Sequence, residues 1–221
     1  MTRTDYAHQI ELLRGSVVAM SSMVDKAIER SMEALKRQDA ELALSVIAGD
    51  AAINEHRWAI EEQALTIIAT QAPMARDLRL ILSAISIVTD MERMSDHAAG
   101  IAKIVLQTAS ESPLKPLVDL PRMSEIARSM LGESIGAYIA NDADAARVVA
   151  TRDDELDALY NQIYRELLTY MMADPSTINR ATHLLWVAHN LERIGDRVTN
   201  ICERVVFSVT GDIRETNISL R

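Results

Sequence analysis

The chain has 221 residues, 48% hydrophobic and 25% charged, with only seven Gly and five Pro, which excludes a disordered or fibrous protein. Its net charge of −9 excludes the Lys and Arg surplus that a nucleic-acid partner demands. No run of about twenty charge-free apolar residues is present to cross a membrane, and aromatics at 4% beside 11 Met favour helices over sheets.

In chain order, residues 1–6 carry no apolar run of the signal-peptide kind. Ile10, Leu13, Val17, Met20 and Val24 then recur at three and four, which predicts a first helix over 6–37. A second helix is expected over 40–71, and Pro73 opens a third over 73–109 with Leu78, Leu82, Ile85 and Val88 on one face. Pro113, Pro116 and Pro121 mark a linker at 111–120. Helices four, five and six are predicted over 121–140, 142–173 and 175–209, with Asp174 as cap and Pro175 at the first helical position of the last. The expected fold is all-α: two tandem antiparallel three-helix bundles, at 1–110 and 121–221. The single cysteine, Cys202, allows no internal disulfide, which predicts a reducing compartment, the cytoplasm.

The two bundles are duplicates. Glu92-Arg93-Met94-Ser95-Asp96 returns as Glu192-Arg193-Ile194-Gly195-Asp196, and Ile101 and Val105 return as Ile201 and Val205. A further spaced pair lies upstream in each unit, Asp50 with Asn54 and Asp153 with Asp157. One acid four residues from another is commonplace on a solvated helix face, so the spacing alone says little. Counting from the turns says more. Asp50 and Asp96 each lie 23 residues from Pro73, and Asn54 and Glu92 each lie 19 from it. In the second unit Asp153 and Asp196 are equidistant from the Asp174–Pro175 junction, as are Asp157 and Glu192. Equal counts from a hairpin turn mean equal height, so each unit offers two acidic rungs about 6 Å apart if the helix faces oppose.

Gathered carboxylates repel one another unless something positive joins them. Two readings follow: Arg93 and Arg193 supply the charge, as a salt-bridged scaffold without metal, or a bound cation does. All-oxygen ligands suit hard ions such as magnesium, calcium, manganese or iron. His189 shares the face of Glu192 and Asp196 and could be a nitrogen ligand, but its counterpart is Thr89, so the simpler reading is a hydrogen-bonding neighbour. His97 points about 100° away from Asp96, toward solvent or a partner. Trp186, Tyr164 and Tyr170 read as core or helix–helix contacts, and Cys202 as a small buried hydrophobe. No phosphate loop, nucleophile elbow or Glu-x-x-His pair of a di-iron bundle is present, so no enzyme is expected.

Ala75-Arg76-Asp77-Leu78-Arg79-Leu80, Thr89-Asp90-Met91-Glu92-Arg93-Met94-Ser95-Asp96, Asn190-Leu191-Glu192-Arg193-Ile194-Gly195-Asp196-Arg197-Val198-Thr199-Asn200-Ile201 and Arg165-Glu166-Leu167-Leu168-Thr169-Tyr170 together resemble the PhoU family across nearly the whole length. The resemblance implies repression of the phosphate-starvation response. It also implies partners, the ATPase subunit of a high-affinity phosphate transporter and a membrane histidine kinase, and a homodimer. It further implies multinuclear metal sites, with iron, zinc, magnesium or manganese held by Asp50, Glu92 and Asp96 in the first unit and by Asp153, Asp157, Glu192 and Asp196 in the second. Asn54, and Gly100 where the second unit has Asn200, depart from the pattern, so the second unit is expected to bind more tightly.

Overall fold

The structure, a computed structural model, describes residues 3–109 and 111–212. Helices α1 (Arg3–Arg37), α2 (Ala40–Gln71) and α3 (Arg76–Thr108) form one antiparallel bundle. A second follows, of α4 (Asp119–Ala140), α5 (Ala143–Ala150), α6 (Asp153–Ala173) and α7 (Ile178–Thr210). No strand occurs among the described residues.

Turn chemistry is duplicated along with the helices. Gln38 and Asn141 both take the left-handed conformation, and the next residue in each case, Asp39 or Asp142, caps the following helix. The Asp39 carboxylate accepts from the Leu42 amide at 2.9 Å, and Asp142 accepts from the amides of Asp144 and Ala145. Each satisfies donors that the first helical turn leaves free. At the other end, Gly211 closes α7 with φ near 79°, where only glycine avoids a steric cost.

Three boundaries differ from the sequence expectation. The third helix begins at Arg76, because Pro73 to Ala75 are spent on a reversal in which Ala72 and Ala75 both have positive φ. The fourth begins at Asp119, so Pro121 falls inside its first turn, where proline needs no amide partner. The predicted helix over 142–173 is two helices. At Thr151–Arg152 the bonding tightens to three-residue closures, Arg152 amide to Val149 carbonyl at 3.0 Å and Glu155 amide to Arg152 carbonyl at 3.1 Å. Thr151 Oγ1 bonds back to the Val148 carbonyl, and Asp153, Asp154 and Glu155 favour the positive start of a new helix. Asp174 caps the last hairpin through the Ser176 amide as expected, but Pro175–Thr177 form a 3-10 turn before α7 begins.

The bundles pack side by side through α3 and α7, the most extensive helix pairing, with α1 against α4 beside it. One continuous core runs through both units, including Val17, Met20, Ile81, Met91, Leu191 and Ile201, all fully buried. Polar contacts cross the seam. Arg128 forms a forked pair with Asp25 and reaches Glu29, Ser83 Oγ donates to the Arg204 carbonyl, and Arg14 donates to Asn141.

Candidate metal centre

All seven acids singled out in the sequence stand on adjacent helices of their own unit: Asp50 on α2 with Glu92 and Asp96 on α3, Asp153 and Asp157 on α6 with Glu192 and Asp196 on α7. In the second unit the four form a cluster whose members act on one another. Burial raises the Asp153 carboxyl to about 7, and Asp196, Asp157 and Glu192 add to the rise. Burial likewise raises Glu192 to about 7, with Asp196 and Asp157 adding and Arg193 opposing. Asp157 is raised in the same direction by burial and by Asp196. Helical periodicity left the azimuth of these faces open. The approach of Asp153 and Leu156 on α6 to Gly195 on α7 shows that these two faces meet.

Gly195 makes that meeting possible. A methyl at its α-carbon would lie 2.5 Å from Leu156 Cδ1 and 2.8 Å from Asp153 Oδ1. The missing side chain therefore lets α6 bring Asp153 close against α7. The salt-bridge reading finds only local support. Arg193 Nη1 pairs with Asp196 Oδ2 at 2.6 Å within one helix, and Arg93 is exposed. Neither arginine ties two helices together. Glu192 Oε2 is buried without a hydrogen-bond donor, its nearest partner being His189 Nδ1 at 3.5 Å.

The first unit brings together Asp50, Glu92 and Asp96 more quietly. Ser95 Oγ donates to Asp50 Oδ1 at 2.6 Å, and Asn54 Nδ2 donates to Asp50 Oδ2 at 3.2 Å. Burial, Asp96 and Asp50 raise Glu92, while Arg57 and Arg93 pull it back. Asp96 is exposed.

Among the described residues no three His, Cys, Asp or Glu groups are gathered as a ready ligand set. The donor chemistry of the second unit nevertheless fits a hard cation: four carboxylates, two of them raised to about 7, and one buried oxygen lacking a donor.

Several neighbours differ from the sequence reading. His97 lies in the α3–α7 seam, its Nδ1 3.0 Å from Asn190 Oδ1, instead of facing solvent. Trp186, Tyr164 and Tyr170 are exposed instead of core, Trp186 standing edge-on to His189 at 5.6 Å. Their helix faces lie outside the seam, where amphipathic rings need only partial cover. Cys202 is buried as expected, its thiol raised to about 12 by burial. Sequence reasoning passed over Ser95, Gly195, Arg57 and Tyr160. The signal was present in a second repeat offset, the one that relates Asp50 to Asp153 and carries Arg57 onto Tyr160.

Residues 17–105 and 120–205 each match the PhoU domain. The chain is 39% identical to the phosphate-specific transport system accessory protein PhoU homolog of Clostridium acetobutylicum, over 96% of this chain and 97% of that protein. It is 40% identical to the homolog of Aquifex aeolicus, over 93% of each. The crystal structure of PhoU from Pseudomonas aeruginosa superposes with a TM-score of 0.89 at 35% identity, covering 94% of this chain and 100% of that one. The phosphate transport system regulatory protein PhoU from Streptococcus pneumoniae superposes with a TM-score of 0.88 at 32% identity, covering 95% and 99%.

Proposed function

This chain belongs to the PhoU family, and from that premise we propose that it is a non-enzymatic regulatory adaptor of phosphate uptake. In this reading it represses the phosphate-starvation response by coupling the transporter, through its ATPase subunit, to a histidine kinase at the cytoplasmic side of the membrane. The observation that carries the reading is full-length likeness to accessory proteins of phosphate-specific transport systems. Two further features are compatible with it. No helix among the described residues is long and apolar enough to cross a membrane, and Trp58, Leu65, Met74 and Trp186 are exposed large apolar side chains of the kind that partner surfaces use.

The acidic cluster belongs to the same reading. Asp153, Asp157, Glu192 and Asp196 would hold one or more hard cations, whose positive charge would relieve carboxylates otherwise raised by burial and mutual repulsion. Asp50, Glu92 and Asp96 are the corresponding set of the first unit. The chain's own residues set the frame: Gly195 admits Asp153, and Arg193 holds Asp196 by a charged hydrogen bond.

Complementation tests the regulatory part. A deletion strain should express a phosphate-uptake reporter at high phosphate, and the intact chain should silence it. Reporter output that stays low in the deletion strain at high phosphate would remove the adaptor reading.

A further inference from the structure

The linker between the two bundles roofs a cavity. Residues 111–117 run over a space of about 320 Å3 between the last turn of α1, the last turns of α3 and the first turns of α7. Three contacts pin this roof. Gln38 Nε2 donates to the Glu111 carbonyl at 2.8 Å, Arg180 Nη1 reaches the Ser112 carbonyl at 3.4 Å, and Lys115 forms an ion pair with Glu166 of α6. Pro113 and Pro116 each fix one backbone angle of the linker. The cavity is therefore preformed, and its volume lies at the low end of the range for small organic ligands, about 300–1000 Å3.

Its lining has two kinds of surface. Leu35, Ile104, Leu114, Leu117 and Leu184 make most of it apolar. Set into that wall are Lys36, Lys115 and Arg180, from three separate elements. Among the described residues only Lys115 of the three has a carboxylate partner, and its side chain is 8% exposed. Glu166 takes one of its three ammonium donors. Arg180 stands in the first turn of α7, where the positive end of the helix adds to its charge. On a chain of net charge −9, these converging cations make a place for an anion. Two further lining residues ask for a donor or an acceptor. Glu111 and His183 each bury one atom, Oε2 and Nδ1, without a hydrogen-bond partner. A buried carboxylate oxygen is costly until a donor meets it.

Both demands meet in one kind of molecule. Inorganic phosphate would answer the cations but leave the apolar wall uncovered, and a plain hydrocarbon would leave the cations and Glu111 unanswered. A carboxylate has two oxygens for cations that come from three elements, whereas a phosphate monoester offers three. An attached ring system with N–H and O–H groups covers the leucines and donates to Glu111. We propose that this cavity binds a nucleoside monophosphate, with its phosphate on Arg180, Lys36 and Lys115 and its base or ribose donating to Glu111. The site is separate from the acidic clusters and goes beyond the adaptor reading. Once occupied, it ties the linker to α1, α3 and α7, and so to both bundles.

Calorimetric titration of the full chain with AMP, GMP, CMP and UMP, in EDTA so that no metal bridges phosphate to the acidic helices, tests it. At least one nucleotide should bind. Its nucleoside and inorganic phosphate should each bind roughly tenfold more weakly or worse, about the worth of one charged hydrogen bond. Arg180→Gln should weaken binding by a similar factor, and Thr108→Phe, which fills the cavity without changing its charge, should abolish it. Arg30→Gln, in a second basic groove between α1 and α2, should leave it unchanged. No binding of any of the four at millimolar concentration overturns the proposal. So does a nucleoside or inorganic phosphate that binds as tightly as the nucleotide, and so does full binding by a folded Thr108→Phe chain or loss of binding in Arg30→Gln. Circular dichroism checks the fold of each variant. Should Thr108→Phe not fold, Lys36→Gln at an exposed position replaces it, and unchanged binding there overturns the proposal. Repression of phosphate uptake is decided separately, by complementation.

Discussion

Asp153 and Glu192 illustrate what individual residues disclose in sequence and what they withhold. Their equal distances from the Asp174–Pro175 junction placed each at the height of a partner acid, and the structure puts them among those acids. Burial could not be read from the spacing, because it depends on Leu156 and Gly195 packing above the carboxylate. The consequence is a defined pH dependence. Both groups have folded pKa values near 7, well above the usual carboxylate range, so the folded state holds protons that the unfolded chain releases. Stability contributed by the protonated forms is full below about pH 4 and is lost as pH rises through about 7. In chelator, the melting temperature measured by scanning fluorimetry should be lower at pH 8 than at pH 6, by about 2–4 °C for each kcal/mol of repulsion in a chain of this size. Asp153→Asn should flatten that slope, and a slope unchanged by the substitution would show that the cluster is not its source. Arg57 and Tyr160 stayed hidden for a different reason: they correspond to one another only through the larger of the two repeat offsets, that of α2 and α6.

At the level of elements, helices were read well from apolar periodicity, while the interruption at Thr151–Arg152 was not. Periodicity reports which face is buried, and a change from four-residue to three-residue bonding over one turn scarcely rotates that face. The break matters because it places Asp153 at the first residue of α6, where the helix start partly offsets the cost of a buried carboxylate. Close contact of α6 with α7 gives a testable contrast between two helical glycines. Replacing an exposed mid-helix Gly by Ala normally stabilises by about 0.5–1 kcal/mol. Gly15, with nothing within 4 Å of a would-be Cβ, should behave that way. Gly195→Ala should instead destabilise by about 1–3 kcal/mol, since overpacking against Leu156 and Asp153 outweighs the gain in helix propensity. Urea denaturation of the two variants measures both signs, and a stabilised Gly195→Ala protein would mean that α6 can move away without loss.

For the whole molecule, the internal repeat foretold two similar bundles but not their union. Each of α3 and α7 is apolar on more than the face that its own bundle needs, and the surplus is what joins them into one core. Unfolding is therefore expected as a single cooperative transition, visible as one calorimetric peak with matching fluorescence and circular dichroism midpoints. Two resolved transitions would show that the seam is weaker than its burial indicates. The seam also carries the record of how the halves diverged. Asp90 accepts from Asn200 at 3.2 Å and lies 3.5 Å from Arg197. At the equivalent crossing, Asn190 meets His97 and lies close over Gly100, where an added methyl would sit 3.0 Å from the Asn190 oxygen. Two first halves placed face to face would set Asp90 against His97 and a bare glycine; two second halves would set Arg197 and Asn200 against the uncharged Asn190. Each half thus presents across the seam groups that its duplicate does not, and what began as a symmetric pair has become a left and a right.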